Sequence, residues 1–382
     1  MKKKDYKRLG DFIEPVDERN TDNSISLSQG ISNNKYFQTP RQVAVNTAND
    51  KIVRHGYFAY NKATTRNGDK ISIAYREGAD CTVSSAYQIF RITNEDLLNP
   101  YFLWMWFKRP EFDRYARFKS HGSAHEFFEF EEMCEVYLPV PPIEEQRKIV
   151  SDYETLTHRI KLNELMIQKL EDTAQVLYRK MFVDDIDFEN LPEGFEHGIL
   201  QDLGEIVGGS TPSTNIKDFW TNNGISWISP ADLSKQSTKF ISKGSKDITK
   251  EGYNSCSTKL LPAGSILFSS RAPIGLMAIT TNSLCTNQGF KSIIPKEKYG
   301  SEYVYYHILS LKDKIAQENE GSTFSEVNGK SMSIVPVIIP SEKTCKEFTH
   351  LIKPIHANQE ILDQENSILK QMRSYLLSFL AN

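Results

Sequence analysis

Forty residues without glycine or proline, 143–182, follow Pro141 and Pro142 and constrain this chain more than any other feature. The prolines stop a strand and suit the first turn of a helix, where a missing N–H costs nothing. With Tyr153 at heptad position a, the a series is Tyr153, Ile160, Ile167, Ala174 and Met181. The d series is Ile149, Leu156, Asn163, Leu170 and Leu177, with a single polar member. Consecutive heptads of this kind are coiled-coil patterning rather than an amphipathic surface stripe. The helix spans on the order of 60 Å and needs a partner seam.

The chain supplies one at 341–380. Its a series is Phe348, Ile355, Leu362, Leu369 and Leu376, and its d series Leu351, Asn358, Glu365, Met372 and Phe379. A shift of 195 residues lays Tyr153/Leu156 on Phe348/Leu351 and Ile160/Asn163 on Ile355/Asn358. The helices are therefore an internal duplication. Pro354 falls inside the second pattern, where it is expected to kink the helix or mark its start.

Between the helices lie globular stretches. Residues 1–140 read as a first mixed α/β domain, 141–182 as a central spacer helix and 183–200 as a linker. Residues 201–340 read as a second mixed α/β domain, and 341–382 as the C-terminal spacer helix. Short β-type runs stand at 51–60, 70–75 and 85–92, with a helix at 95–107 and a closing strand at 135–140. The second globule repeats this order. Leu9-Gly10 echoes Leu203-Gly204, Gly56-Tyr57-Phe58 echoes Gly264-Ser265-Ile266, and Cys81-Thr82 echoes Cys285-Thr286. Tyr101-Phe102-Leu103 echoes Tyr303-Val304-Tyr305, and Gly122-Ser123 echoes Gly321-Ser322.

Charge is nearly balanced in both globules, and the net −3 reflects 183–200, which holds six acids and no base. Nucleic-acid binding must therefore come from local patches. The five cysteines form no CxxC pair and no zinc-type cluster with histidine, which fits reduced thiols in a cytoplasm. No apolar run is long enough to span a bilayer, so no membrane partner is expected.

The segment GGSTPSTNIKDFWTNNGISWISPADL (208–233) resembles the opening of a target-recognition domain in the specificity (S) subunits of type I restriction-modification systems. GSILFSSRAPIG (264–275), TNQGF (286–290), GSTFSEVNG (321–329) and VPPIEEQRKIV (140–150) extend the resemblance over the chain in the family's order. Residues 10–50 lack the GGTPS and WI segments, and the C-terminal IIPSEKTCKEF lacks the Glu-Gln pair. The resemblance implies an α+β protein: two target-recognition domains, a pseudo-two-fold repeat, and an antiparallel coiled coil of two long helices between them. It implies a subunit without catalysis or cofactor that reads a bipartite target on double-stranded DNA. The partners implied are two methyltransferase (M) subunits and, in a restricting assembly, nuclease/translocase (R) subunits. Two domains on a rigid spacer also suit half-sites about 34 Å, or one helical turn, apart.

Candidate contacts follow. Six lysines crowd 235–259, against Asp247 and Glu251 alone. Of these Lys235, Lys239, Lys243 and Lys246 are candidates for phosphate contact, with a solvated polar face as the plain alternative. Ser270 and Arg271 sit in a loop bracketed by Gly264 and Pro273, from which Arg271 either reads guanine or satisfies loop carbonyls. Lys62 and Arg66 occupy the matching loop of the first globule. Trp220 and Trp227 either stack on bases or pack internally. Antiparallel spacer helices would bring Asn163 and Asn358 into adjacent layers, hydrogen-bonded directly or through a water and fixing the register.

Other motifs fail. Asn99-Pro100-Tyr101-Phe102 lacks a proline of the adenine-methyltransferase NPPY/F and reads as a helix start. There is no GxxxxGK[ST], HExxH or GxSxG. His121 and His125 have no third ligand nearby, so no metal site is expected. A coiled-coil scaffold that never meets DNA, and an enzyme acting on DNA alone, stand as rival readings.

Overall fold

The computed structural model describes residues 6–40, 48–63, 70–120, 126–184, 186–236, 238–317 and 326–380. The chain divides into two compact units, Met1–Leu162 with Asn366–Asn382, and Asn163–Glu365.

In the first unit the strands are β1 (Tyr6–Arg8), β2 (Ile13–Val16), β3 (Gly30–Ile31), β4 (Phe37–Gln38), β5 (Lys51–Val53), β6 (Phe58–Asn61), β7 (Ile73–Tyr75), β8 (Cys81–Val83) and β9 (Tyr87–Ile92). Helices α1 (Pro100–Phe107), α2 (Pro110–Lys119) and α3 (Phe130–Cys134) follow, then β10 (Tyr137–Pro139) and α4 (Ile143–Phe182), whose first half belongs here. The main sheet has the order β2-β9-β6-β7, antiparallel throughout. Phe58 stacks on Phe90 at 5.0 Å, and Phe107 and Phe128 extend the same aromatic core. Each fully buried side chain of this size contributes about 1.5–3 kcal/mol. Helix α1 is apolar nearly all round, as a buried helix must be. It begins as the sequence predicts: Asn99 accepts a hydrogen bond from the Phe102 N–H at 3.1 Å, with Pro100 in the first turn.

The second unit holds β11 (Glu196–Ile199), α5 (Leu200–Leu203), β12 (Gly204–Gly208), β13 (Trp220–Thr221), β14 (Ile225–Ile228), α6 (Pro230–Lys235), β15 (Phe240–Ile241), β16 (Lys246–Ile248) and α7 (Lys250–Asn254). Strands β17 (Ile266–Phe268), β18 (Met277–Thr280), β19 (Cys285–Thr286) and β20 (Lys291–Pro295) come next. Then follow α8 (Gly300–Gln317), α9 (Gly329–Ser333), β21 (Pro336–Ile339) and α10 (Glu342–Phe379). Its main sheet, β12-β20-β17-β18-β15, repeats the order of the first unit and adds β15 at the edge. Strand β11 pairs with β21 as β1 pairs with β10. The paired Leu-Gly echoes have a steric cause. A Cβ on Gly10 would lie 2.8 Å from Cys134 Cβ, and one on Gly204 would lie 2.4 Å from the Ile294 carbonyl oxygen.

The long helices contribute one half to each unit. Within the second unit they run antiparallel: Asn163 meets Glu365, Glu171 meets Gln359, and Tyr178 meets Phe348. The expected α4 stripe is found, with Tyr153, Ile160, Asn163 and Ala174 buried. On α10 one series is also found, but the other lies one residue later. Ile352, Gln359 and Asn366 are buried, whereas Leu351 is 45% and Met372 50% exposed. Helix spacings of three and four alternate equally well in either frame, and one residue turns the stripe by about 100°. What selects the observed frame in the second unit is that α10 packs on α8 as well as α4, through Phe348 and His356 against Tyr306. The expected Asn163–Asn358 pair is therefore corrected. Asn358 is exposed, and Asn163 instead donates from Nδ2 to Glu365 Oε2 at 2.9 Å. Pro354 does not start the helix; it lies inside α10 on an exposed face.

Two substitutions test this seam. Asn163→Leu strands part of the Glu365 carboxylate and lowers unfolding stability by about 1–2 kcal/mol, whereas Asn358→Leu stays within about 0.5 kcal/mol of wild type. Urea melts of the two variants decide; equal losses would refute the assignment. Burial also pushes the imidazole of His307 from 6.5 down to about 4, and burial beside the Lys239 ammonium takes His356 down to about 3. Protons then bind the unfolded chain preferentially, so this stability is complete above about pH 6.5 and lost as pH falls towards 4, on the order of 2–3 kcal/mol per histidine. Thermal melts from about pH 7 to 4 should show an acid limb that His307→Gln flattens; an unchanged limb would refute it.

Candidate nucleic-acid interface

The second unit carries a smaller sheet, β13-β16-β14-β19, whose exposed side combines cations with an indole. On β16 Lys246 is exposed, while Asp247 and Ile248 are buried. The Lys246 Nζ lies over the Trp220 ring, 5.4 Å from its centroid. Trp220 meets Trp227 edge-on at 5.1 Å, and both indole N–H groups donate to main-chain carbonyls, those of Ser213 and Ser210. Trp227 is thus internal, while Trp220 presents a partly exposed face. A groove of about 410 Å³ runs here, lined by Thr214, Lys217, Trp220, Thr221, Asn222 and Lys246.

Lys243 joins this face to the next. Its Nζ donates to the Asn222 carbonyl at 3.1 Å and pairs with the buried Asp247 carboxylate at 3.1 Å. A second groove, of about 270 Å³, is lined by Lys235, Lys243 and Asp232 among others. Asp232 caps α6: burial works to raise its pKa, but hydrogen bonds from Ser229 and Ser245 hold it below the usual range. Of the lysines expected at the surface, Lys235, Lys243 and Lys246 are therefore brought together. Sequence reading missed Lys217, which stands three residues before Trp220 in the segment 208–233.

Lys239 is elsewhere. Its side chain is only 9% exposed and its ammonium is bound to Glu171 of α4 and, at 2.7 Å, to the Tyr306 hydroxyl. Ser270 is also internal: its main chain donates to Gly289 and accepts from Val327. Arg271 remains half-exposed but pairs with Glu326 at 2.9 Å, and Lys291 reaches the same carboxylate at 3.5 Å. The Arg271 hydrogen bond holds the Glu326 carboxyl below its ordinary range. In the first unit, Lys62 takes the matching position. Its carbonyl accepts from the Phe128 N–H, as that of Ser270 does from Val327, and its Nζ pairs with Glu129 at 2.7 Å. Each unit thus sets a cation of this loop on a glutamate just before α3 or α9. Arg66, His121 and His125 lie outside the described residues.

Among the described residues no group of three or more His, Cys, Asp or Glu is placed to hold a metal ion, and no helix is long and apolar enough to cross a membrane.

Residues 1–172 and 192–371 match the family model described as the type I restriction modification DNA specificity domain. The chain is 36% identical over 190 residues to the MjaIX specificity subunit of Methanocaldococcus jannaschii, a match spanning 49% of this chain and 44% of that protein. It is 24% identical to the HindI specificity subunit of Haemophilus influenzae over 87% of both chains. The crystal structure of a type I restriction-modification system S subunit from M. genitalium superposes with a TM-score of 0.64 over 98% of this chain and 95% of that one, at 12% identity.

Proposed function

The chain belongs to the type I restriction modification DNA specificity family, and from that premise we propose that it is the non-catalytic subunit that reads a bipartite DNA target. Residues 1–140 and 201–340 each read one half-site; 141–182 and 341–382 form the spacer, with 183–200 a linker. The observation that carries this reading is the repeated sheet, β2-β9-β6-β7 and β12-β20-β17-β18, paired with two family matches in one chain. A duplicated reader matches a target in two halves, and a two-fold-like repeat offers two equivalent docking surfaces. Two methyltransferase subunits occupy them, and nuclease/translocase subunits join in a restricting assembly, in the cytoplasm. Catalysis on DNA belongs to those partners.

On this reading the exposed cations of the second unit divide by role. Lys217, Lys235 and Lys246 contact phosphates, which position the domain. Lys243 shares its charge with Asp247, as Lys62 of the first unit does with Glu129. Arg271 is presented at a loop tip with Glu326 holding its side chain, a geometry suited to a base edge.

The test is co-expression with a methyltransferase subunit in a host lacking other modification, followed by sequencing of methylated sites. A two-part motif is expected, and replacing 201–340 by the equivalent segment of a relative should change one half only; a chain that methylates DNA without its partner, or no motif at all, overturns the reading. In the assembled complex, Lys246→Ala should weaken binding on all duplexes alike and reduce the salt slope by about one. Arg271→Ala should relax one position of one half-site at a cost of about 1–3 kcal/mol; an unchanged motif assigns Arg271 to loop structure.

A further inference from the structure

Lys239 sits among lysines that face solvent, yet its own ammonium is enclosed. Its carbonyl accepts from the Ile279 N–H at 2.6 Å, and the next two residues, β15, pair in parallel with β18. The side chain leaves this sheet edge for the helices. There Glu171 Oε2 receives the Lys239 ammonium, the Tyr306 hydroxyl at 3.2 Å and the Gln359 amide at 3.2 Å. Gln359 also donates to the Ile167 carbonyl at 3.1 Å, and Tyr306 meets His356 Nε2 at 3.3 Å. The rings of Tyr306 and Tyr305 lie 5.0 and 5.6 Å from the ammonium. One lysine therefore ties the edge of the sheet to α4, α8 and α10 within the second unit.

Such an arrangement is a poor choice for stability alone, because apolar residues of similar volume are often as stable as a buried ion pair. What the pair adds is selectivity of position. Only one setting of 239–241 brings the ammonium to Glu171, and any other leaves two charges buried apart. The first unit's described sheet ends at β7 and has no counterpart to β15. The tie thus belongs to the segment that also carries Lys243 and Lys246.

We propose that Lys239 is a positioning residue for DNA recognition: through Glu171 and Tyr306 it holds 239–246, and with it the exposed lysines, at one setting relative to α4. The inference rests on the reading of DNA as ligand. It places Lys239 behind the contact surface rather than on it.

Lys239→Met alone leaves the buried Glu171 charge without a cation and can fail to fold, so the deciding variant is Lys239→Met with Glu171→Met. The complex with methyltransferase is measured against its cognate duplex and against one whose half-sites stand one base pair further apart. The double variant is expected to fold, to show amide exchange over 239–246 at least tenfold faster, and to lose about tenfold in discrimination between the duplexes. Exchange and discrimination both at wild-type values would overturn the proposal, as would loss of binding to both duplexes in equal proportion with exchange unchanged. If the wild-type complex itself prefers no duplex, the functional reading fails, and the exchange measurement alone still decides whether Lys239 holds the segment.

Discussion

Glu171 is a carboxylate placed where a helix seam meets a sheet, and the geometry of the second unit depends on how it is satisfied. Burial works to raise its pKa, but the Lys239 charge and the hydrogen bonds from Lys239, Gln175 and Gln359 together hold it below the ordinary value, so the group stays ionised. A buried charge without partners is costly enough that the surroundings must adapt to it. Here they adapt from two other helices and a sheet edge at once. The consequence reaches the surface, because β15 leads within a few residues to Lys243 and Lys246. A polar node inside thus determines where cations appear outside.

The duplication shows which parts of the domain are required and which are free to change. The order of the main sheet, the terminal strand pair and the close-packed glycines at 10 and 204 recur. So do buried Cys81 and Cys285, one on a strand of each smaller sheet. The helix starts solve one problem in two ways. In α4, Gln146 accepts from the Asn99 N–H at 2.8 Å and donates to the Leu97 and Pro141 carbonyls at 3.0 and 2.7 Å. In α10 the fourth helical residue is the buried Cys345, and Ser341, just before the helix, accepts from the Thr344 N–H at 3.1 Å through its hydroxyl as an N-cap. The degenerate C-terminal copy of the motif has exchanged a tie to the globule for a local cap. Loops that carry exposed cations obey no such constraint, which is why the halves resemble each other least there.

The same contrast separates what was legible in the chain from what was not. Heptad spacing revealed both long helices, because a 3.5-residue period sustained over five repeats is what a helical seam requires and a strand or loop does not. It misplaced one face of α10, since the frame there is decided by Tyr306 of a distant helix and not by spacing. Antiparallel helices folded about the midpoints of their seams would make Asn358 the mate of Asn163, but the register differs, and Glu365, one heptad further along α10, stands at that level. The basic cluster was visible as composition. Composition does not show depth: Lys235 and Lys239 have the same charge, and only β15 pairing with β18 turns the second inward. Lys217 escaped notice because it is far in sequence from the others and is joined to them only through β13 and β16.

That distinction also bears on how a chain with net charge −3 can carry the surface proposed for DNA. At physiological ionic strength charges interact over about 8 Å, so only the local balance counts. In the second unit most acids near the basic face are already occupied. Asp247 lies buried beneath Lys243, Asp232 caps α6, and Glu171 neutralises Lys239. Glu326 is shared by Arg271 and Lys291, two cations on one carboxylate, which leaves surplus positive charge at that loop. The exposed remainder is Lys217 and Lys246 beside a partly open indole, and Lys235 in the neighbouring groove. Pairing beneath the surface, rather than an excess of basic residues, makes the face positive.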